Sequence, residues 1–230
     1  SSALDSPGLA HPMRRLPFLV TAPPPVPIPN IGLCTGPWCG YPPVPISPPP
    51  SPPSRPSRTE TVLPGRGTLQ AAINAAVAGD VLELADGTYT ESTWEGTAIW
   101  KDITIRAQNA GQAVLDGENS RRVITIAGGM ITITVVLEGL KITKGMAEYD
   151  GYGGGIFISS GAVSLTSCEI YSNIASHRFG GDYGGGIYIM SGTVSLTSCD
   201  IYSNTVSNVD ESGSNGGGGV YIKGGTVSLT

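Results

Sequence analysis

Residues 153–175 read GGGIFISSGAVSLTSCEIYSNIA, residues 184–206 read GGGIYIMSGTVSLTSCDIYSNTV, and residues 217–230 read GGGVYIKGGTVSLT. Three near-copies of one unit decide the fold, because self-similarity at a period of about 30 residues marks a solenoid. Ile156 and Ile187 are 31 residues apart, and Ile187 and Val220 are 33 apart. The extra length lies between copies, in 176–183 and 207–216, so constant strands are joined by variable loops along one edge. Within a copy the period is two, which means strands. Ile156 and Ile158 point opposite to Phe157, and Val163 and Leu165 alternate with Ser164 and Thr166. After a kink at Ser167, Cys168 and Ile170 face inward while Glu169 and Tyr171 face outward. Three short strands with Gly and Ser corners make one rung of a parallel β-helix. Rungs stacked about 4.8 Å apart place each residue above its equivalent.

Working back from the copies, less regular rungs fit the same scheme. Ile124–Ile126, Val135–Leu137 and Leu140–Ile142 match the three strands in order, and Ile103–Ile105 and Val81–Leu84 are earlier strands. Leu69, Ala72, Ile73, Ala76 and Val77 fall on one helical face, opened by Thr68 and closed by Gly79. A helix there would cover the open end of the core. The expected fold is all-β: a right-handed parallel β-helix of about four to five rungs over residues 61–230, capped by one short helix, preceded by a polyproline II arm over residues 1–60.

That arm is a different regime. All 19 prolines lie in residues 1–64, and 29 of the 33 glycines follow. Proline fixes φ and removes donors, so the segments 23–29 and 42–56 are left with polyproline II. An extended linker is one reading; a strap in which 23–29 or 42–53 packs along an aromatic face of its own or a neighbouring subunit is another. Cys34 and Cys39 are too far apart for a Cys-x-x-Cys pair and lack zinc partners; a small disulfide-closed loop is the reading, with two free thiols as its rival. Residues 61–230 carry 9 basic and 16 acidic groups, which argues against nucleic acid, and no apolar run is long enough for a membrane span.

The run from Thr68 to Gly145 resembles the N-terminal part of β-helices of the pectin-lyase-like superfamily, through LQAAINAAVAGDVLEL, DGTYTE and LEGLKITKG. The following copies resemble the repeats of chlamydial polymorphic membrane proteins, with Ile170–Asn173 ahead of Gly184–Ile187 and Ile201–Asn204 ahead of Gly217–Val220. The Ser47–Ser57 segment resembles the Ser-Pro-Pro blocks of extensin-type hydroxyproline-rich glycoproteins, which implies hydroxylation and O-glycosylation; no N-glycosylation sequon exists in the chain. The first two resemblances imply the fold. They leave function open, because this fold carries lyases, hydrolases, esterases and adhesins alike.

Catalytic motifs are missing from the inventory. His11 and His177 stand alone, and no zinc-protease, nucleophile-elbow, P-loop or EF-hand pattern occurs. Glu169 and Asp200 stack as one carboxylate per rung and read as a solvated face. Glu148, Asp150, Asp182, Asp210 and Glu211 lie in loops along one edge with irregular spacing, favouring an acidic ridge over a calcium site. Cys168 and Cys199 are equivalent inward residues, expected as buried thiols, and Asn173 and Asn204 are expected to form an amide ladder. Two aromatic ridges are expected on the surface as candidate binding features: Phe157, Tyr188 and Tyr221 on one, Tyr171 and Tyr202 on the other. The resulting expectation is a non-enzymatic extracellular structural or adhesive rod at a cell surface or wall. It needs no cofactor or metal, and its partners are itself, other wall proteins or glycans. A carbohydrate-active enzyme with catalytic rungs beyond residue 230, and a glycan-binding module, are the alternatives.

Overall fold

The computed structural model describes residues 56–129, 131–177, 181–207 and 216–230. The chain divides into two units, Ser1–Pro52 and Pro53–Thr230. Cys34, Cys39, the proline segments 23–29 and 42–53, Asp210 and Glu211 lie outside the described residues.

The described strands form parallel sheets that run along a coil. Sheet A takes Thr59–Val62, Asp80–Leu84, Ile103–Ala107, Thr134–Glu138, Ala162–Thr166, Thr193–Thr197 and Thr226–Leu229. Sheet B takes Gly65–Arg66, Gly87–Thr90, Ala113–Asp116, Leu140–Thr143, Glu169–Tyr171 and Asp200–Tyr202. Sheet C takes Thr97–Ile99, Ile124–Ile126, Ile156–Ile158, Ile187–Ile189 and Val220–Ile222. Each strand pairs in parallel with its equivalent one rung away, as in Leu137↔Leu165↔Leu196↔Leu229. The molecule is the parallel β-helix that the copies imply.

The rung has one part more than the three strands expected. Met146–Ala147, Ile174–Ala175 and Thr205–Val206 form a narrow fourth sheet, D, directly after B. Its cause is the asparagine at the turn. Asn173 is fully buried, accepts the Gly145 N–H at 2.8 Å and donates to the Ile142 carbonyl at 3.0 Å. Asn204 accepts from both the Asn173 backbone and its side chain at 3.0 Å, and donates to Ile170 at 2.8 Å. The amides thus satisfy turn groups that would otherwise be buried unpaired. The glycine triplets follow from the same packing: a Cβ at Gly186 would stand 2.8 Å from Asn204 Nδ2.

Inside the coil, apolar columns run parallel to the axis. Ile103, Val135, Val163 and Val194 make one; Leu115, Ile142 and Ile170 another; Ile124, Ile156 and Ile187 a third, all buried. Each large side chain contributes about 1.5–3 kcal/mol before chain entropy is subtracted. Cys168 is buried and Cys199 half-buried; both are free thiols, donating to carbonyls of their own and the preceding rung. The Cys199 thiol next to it, and then burial, push the Cys168 thiol up.

The capping helix spans Thr68–Ala75 and buries Leu69, Ala72 and Ile73, with Ala76 just beyond it. Two details differ from expectation. Gly67, left-handed at φ 72°, is the N-cap instead of Thr68, and Val77 is half exposed because the helix has already ended. With no side-chain cap of its own, the helix borrows one: Glu91 accepts the Gln70 N–H at 3.1 Å. Lys101 serves the other end, donating to the carbonyls of Ile73 and Ala76 at 2.9 and 2.7 Å. Among the described residues, no helix is long and apolar enough to cross a membrane.

Candidate functional site

The two aromatic columns differ in what covers them. Phe157, Tyr188 and Tyr221 are in register on the outer side of sheet C, with ring centroids 5.6 and 5.5 Å apart and planes 13° and 15° from parallel. The expected surface ridge is nevertheless roofed: Tyr188 is only 2% exposed. Tyr152 lies 4.7 Å from it, and Tyr183 packs 4.5 Å from Tyr221. Both come from the variable loops and make a second, outer core. Arg122 closes it, lying 4.9 Å over Phe157, pairing with Asp150 at 2.6 Å and donating to the Tyr152 and Gly153 carbonyls. Of the loop acids among the described residues, Glu148 is exposed and the other two are not free on an open edge. Asp150 is ion-paired and Asp182 is buried, with its carboxyl pushed up by that burial. Among the described residues, no group of three or more His, Cys, Asp or Glu is placed to hold a metal.

The other column is open. Tyr171 and Tyr202, on the outer face of sheet B, stack at 5.2 Å and 3°, and Tyr202 is 46% exposed. Charged groups surround the pair. Glu169 does not stand as an isolated carboxylate: Lys141, its partner one rung back, is 3.4 Å away, and the Tyr202 hydroxyl donates to its other oxygen at 3.5 Å. Desolvation, and then the Glu169 charge, push the Tyr202 phenol up, so it remains a donor. Lys144 bonds Asp116 at 2.8 Å, and that contact pushes the Lys144 ammonium up. Further along, Glu118 accepts from Arg66 at 2.6 Å and lies 3.1 Å from Arg121. Arg121 also borders a small notch rimmed by Trp94 and Tyr149, exposed rings 5.5 Å apart.

Sequence reasoning missed Lys141, Lys144 and Asp116 as members of this face. The signal for Lys141 was present, since LKIT aligns with the strand carrying Glu169. Tyr152 and Tyr183 also had a signal, each preceding a glycine triplet at one repeat's spacing. Chemically, the face offers two rings whose planes are turned toward each other, the outer one (Tyr202) 46% exposed, beside ion pairs. Lys141 and Lys144 each have a carboxylate of their own, and Arg66 and Arg121 share Glu118, so donors and acceptors stand side by side. A proton donor beside an acceptor, as in Tyr202 and Glu169, is also the minimum for general acid–base work.

No family model matches the chain, and no curated protein matches it. Among solved structures, the chain is similar to an alginate lyase of the PL6 family, AlyGC, at 20% identity and a TM-score of 0.36, over 77% of this chain and 30% of that one. This likeness concerns the β-helix fold, consistent with the pectin-lyase-like resemblance; the chlamydial and extensin resemblances gain no support from any match. That solved chain is a lyase, against the expectation of a non-enzymatic chain; the likeness is one of fold and assigns no activity to this chain.

Proposed function

We propose that this chain is carbohydrate-active and seats a linear, uncharged polysaccharide along the outer face of sheet B. The observation that carries the reading is the open Tyr171–Tyr202 stack beside the Lys141–Glu169 pair, to which Tyr202 donates. A sugar ring can pack a C–H face on the exposed side of Tyr202, and adjacent donors and acceptors suit vicinal hydroxyls. The rungs repeat every 4.8 Å or so, comparable to the advance of one sugar in an extended chain, so successive units meet equivalent positions. A polyanion is disfavoured beside the tyrosines because Lys141 and Lys144 are already neutralised by Glu169 and Asp116. An extracellular setting, where such polymers are met, belongs to the same reading.

Affinity electrophoresis of the full chain through gels containing neutral glucans, mannans or xylans tests it, with polyuronates in parallel. Retardation by a neutral polymer is expected, and Tyr202→Ala should weaken it about tenfold, equivalent to about 1.4 kcal/mol. Release of reducing ends from the retained polymer would show turnover. Absence of retardation by any neutral polymer, or an unchanged Tyr202→Ala variant, would refute the reading.

A further inference from the structure

Two thiols stand one above the other inside the coil. Cys168 and Cys199 fill the same place in successive copies, each between a corner serine and a strand of sheet B. The residues that follow are in direct register, Glu169↔Asp200 and Ile170↔Ile201, and the Asp200 N–H donates to the Cys168 carbonyl at 2.9 Å. Their surroundings repeat as well. Cys168 Sγ donates to the Leu137 and Thr166 carbonyls at 3.5 and 3.4 Å, and Cys199 Sγ to those of Leu165 and Thr197 at 3.5 and 3.4 Å. In the two rungs before, the same column holds Ala113 and Leu140, so an apolar side chain fills this place equally well.

Access separates the two. Cys168 is 1% exposed, whereas Cys199 is half-buried and borders an open apolar hollow with Leu196, Ile201, Val220 and Leu229. A small reagent entering there meets Cys199 first, and Cys168 lies directly behind it.

We propose that Cys199 and Cys168 are an attacking and a resolving thiol, which a hydroperoxide converts into a disulfide joining two rungs. The Cys199 sulfur attacks one peroxide oxygen: an S–O bond forms, the O–O bond breaks, and the other oxygen leaves as an alcohol or water. The Cys168 sulfur then attacks the Cys199 sulfenic acid: an S–S bond forms, the S–O bond breaks, and hydroxide leaves as water with the Cys168 proton. Two thiols lose two electrons and two protons, and the peroxide takes up both.

The geometry suits each step. Rungs about 4.8 Å apart fall inside the span of about 4.4–6.8 Å that a disulfide sets between its Cα atoms. The Cys168 thiol beside it holds the Cys199 thiol below the usual range, against the effect of burial, and so favours the thiolate that attacks. Cys168 is pushed the other way, by Cys199 and then by burial, and keeps its proton for the departing hydroxide. Neither thiol lies on the outer face of sheet B, so failure here leaves the polysaccharide reading standing.

The test uses the full chain, reduced and then freed of reductant. One equivalent of hydrogen peroxide or cumene hydroperoxide is added, remaining thiols are alkylated in denaturant, and a tryptic digest is weighed without reduction. Lys144, Arg178 and Lys223 bound two peptides with one cysteine each, and Cys34 and Cys39 fall in a third, so every link is assignable. The Cys168 and Cys199 peptides should be joined, lighter by two hydrogens, and parted by dithiothreitol. Oxidation of the chain in urea should form that link about tenfold more slowly, since the thiolate is no longer favoured. Cys168→Ser should leave a Cys199 sulfenic acid that dimedone traps, and Cys199→Ser should leave Cys168 unoxidised. Both cysteines alkylated in the oxidised wild-type chain would overturn the proposal, and that digest decides even where a variant fails to fold. So would equal rates in urea and buffer, a Cys199 link to Cys34 or Cys39, or dimedone on Cys168 in the Cys199→Ser chain.

Discussion

Ser167 and Ser198 turn the chain from sheet A into sheet B with φ of 51°, where the preceding rung has Gly139 at 66°. A Cβ in the left-handed region costs about 1–2 kcal/mol, and glycine removes that cost while adding some unfolded-state entropy. Ser167→Gly should therefore raise stability by about 0.5–1 kcal/mol, read as a higher urea midpoint, and Ser167→Val should lower it. Glu91 is a second residue whose setting makes a prediction. Burial pushes its carboxyl above the usual range, against the Gln70 N–H, the Thr97 hydroxyl and the charges of Arg121 and Arg66. The folded state then holds this proton more tightly than the unfolded chain does. Its contribution is most favourable in acid and declines as pH rises from the ordinary carboxylate range through the raised value. Glu91→Gln keeps an acceptor for the helix and should flatten that decline in a pH series of urea midpoints; an unaltered slope would assign the pH dependence elsewhere.

At the scale of elements, strands were legible because their period is two and because each copy repeats the last. The columns of Ile, Val and Leu needed only alternation and register to be placed. The loops were not legible, because what they do depends on what they fold over. Tyr152 and Tyr183 stand beside glycines in stretches of irregular length, and only the chain path lays them on Tyr188. The same holds for the open face of sheet B. Lys141, Glu169 and Tyr202 come from three different rungs, and their meeting is a matter of register across about 60 residues. Sheet D escaped notice because two-residue strands carry no period to detect. The covering layer should matter energetically. Tyr183→Ala removes a half-buried ring from between Tyr152 and Tyr221, at a cost of about 1–3 kcal/mol. Backbone amides of Ile187–Ile189 should exchange faster in that variant, while those of Leu140–Thr143 should be unaffected.

For the whole molecule, stability is expected to be graded along the axis, because each rung touches only its neighbours. One column of leucines reports the gradient: Leu137 and Leu165 are fully buried, Leu196 is 3% exposed and Leu229 is 65% exposed. Ile222 is 46% exposed, although its equivalents Ile158 and Ile189 are fully buried. Around that last rung, Leu196, Cys199, Ile201, Val220 and Leu229 line an open apolar hollow of about 410 Å³. A side chain with water on one side has little transfer free energy to lose, whereas a core leucine also leaves a cavity when it is removed. Leu165→Ala should accordingly cost about 2–5 kcal/mol and Leu229→Ala less than about 1 kcal/mol. Hydrogen exchange read by peptide should show protection falling from the rung of Ile156–Tyr171 to that of Val220–Leu229. Leu165→Ala should speed exchange in the rungs on both sides of it, and Leu229→Ala only in its own. Equal penalties for the two substitutions would mean that the last rung is covered in solution by other protein, such as a second copy docked end to end, and a concentration-dependent sedimentation coefficient would then distinguish that arrangement from a lone β-helix.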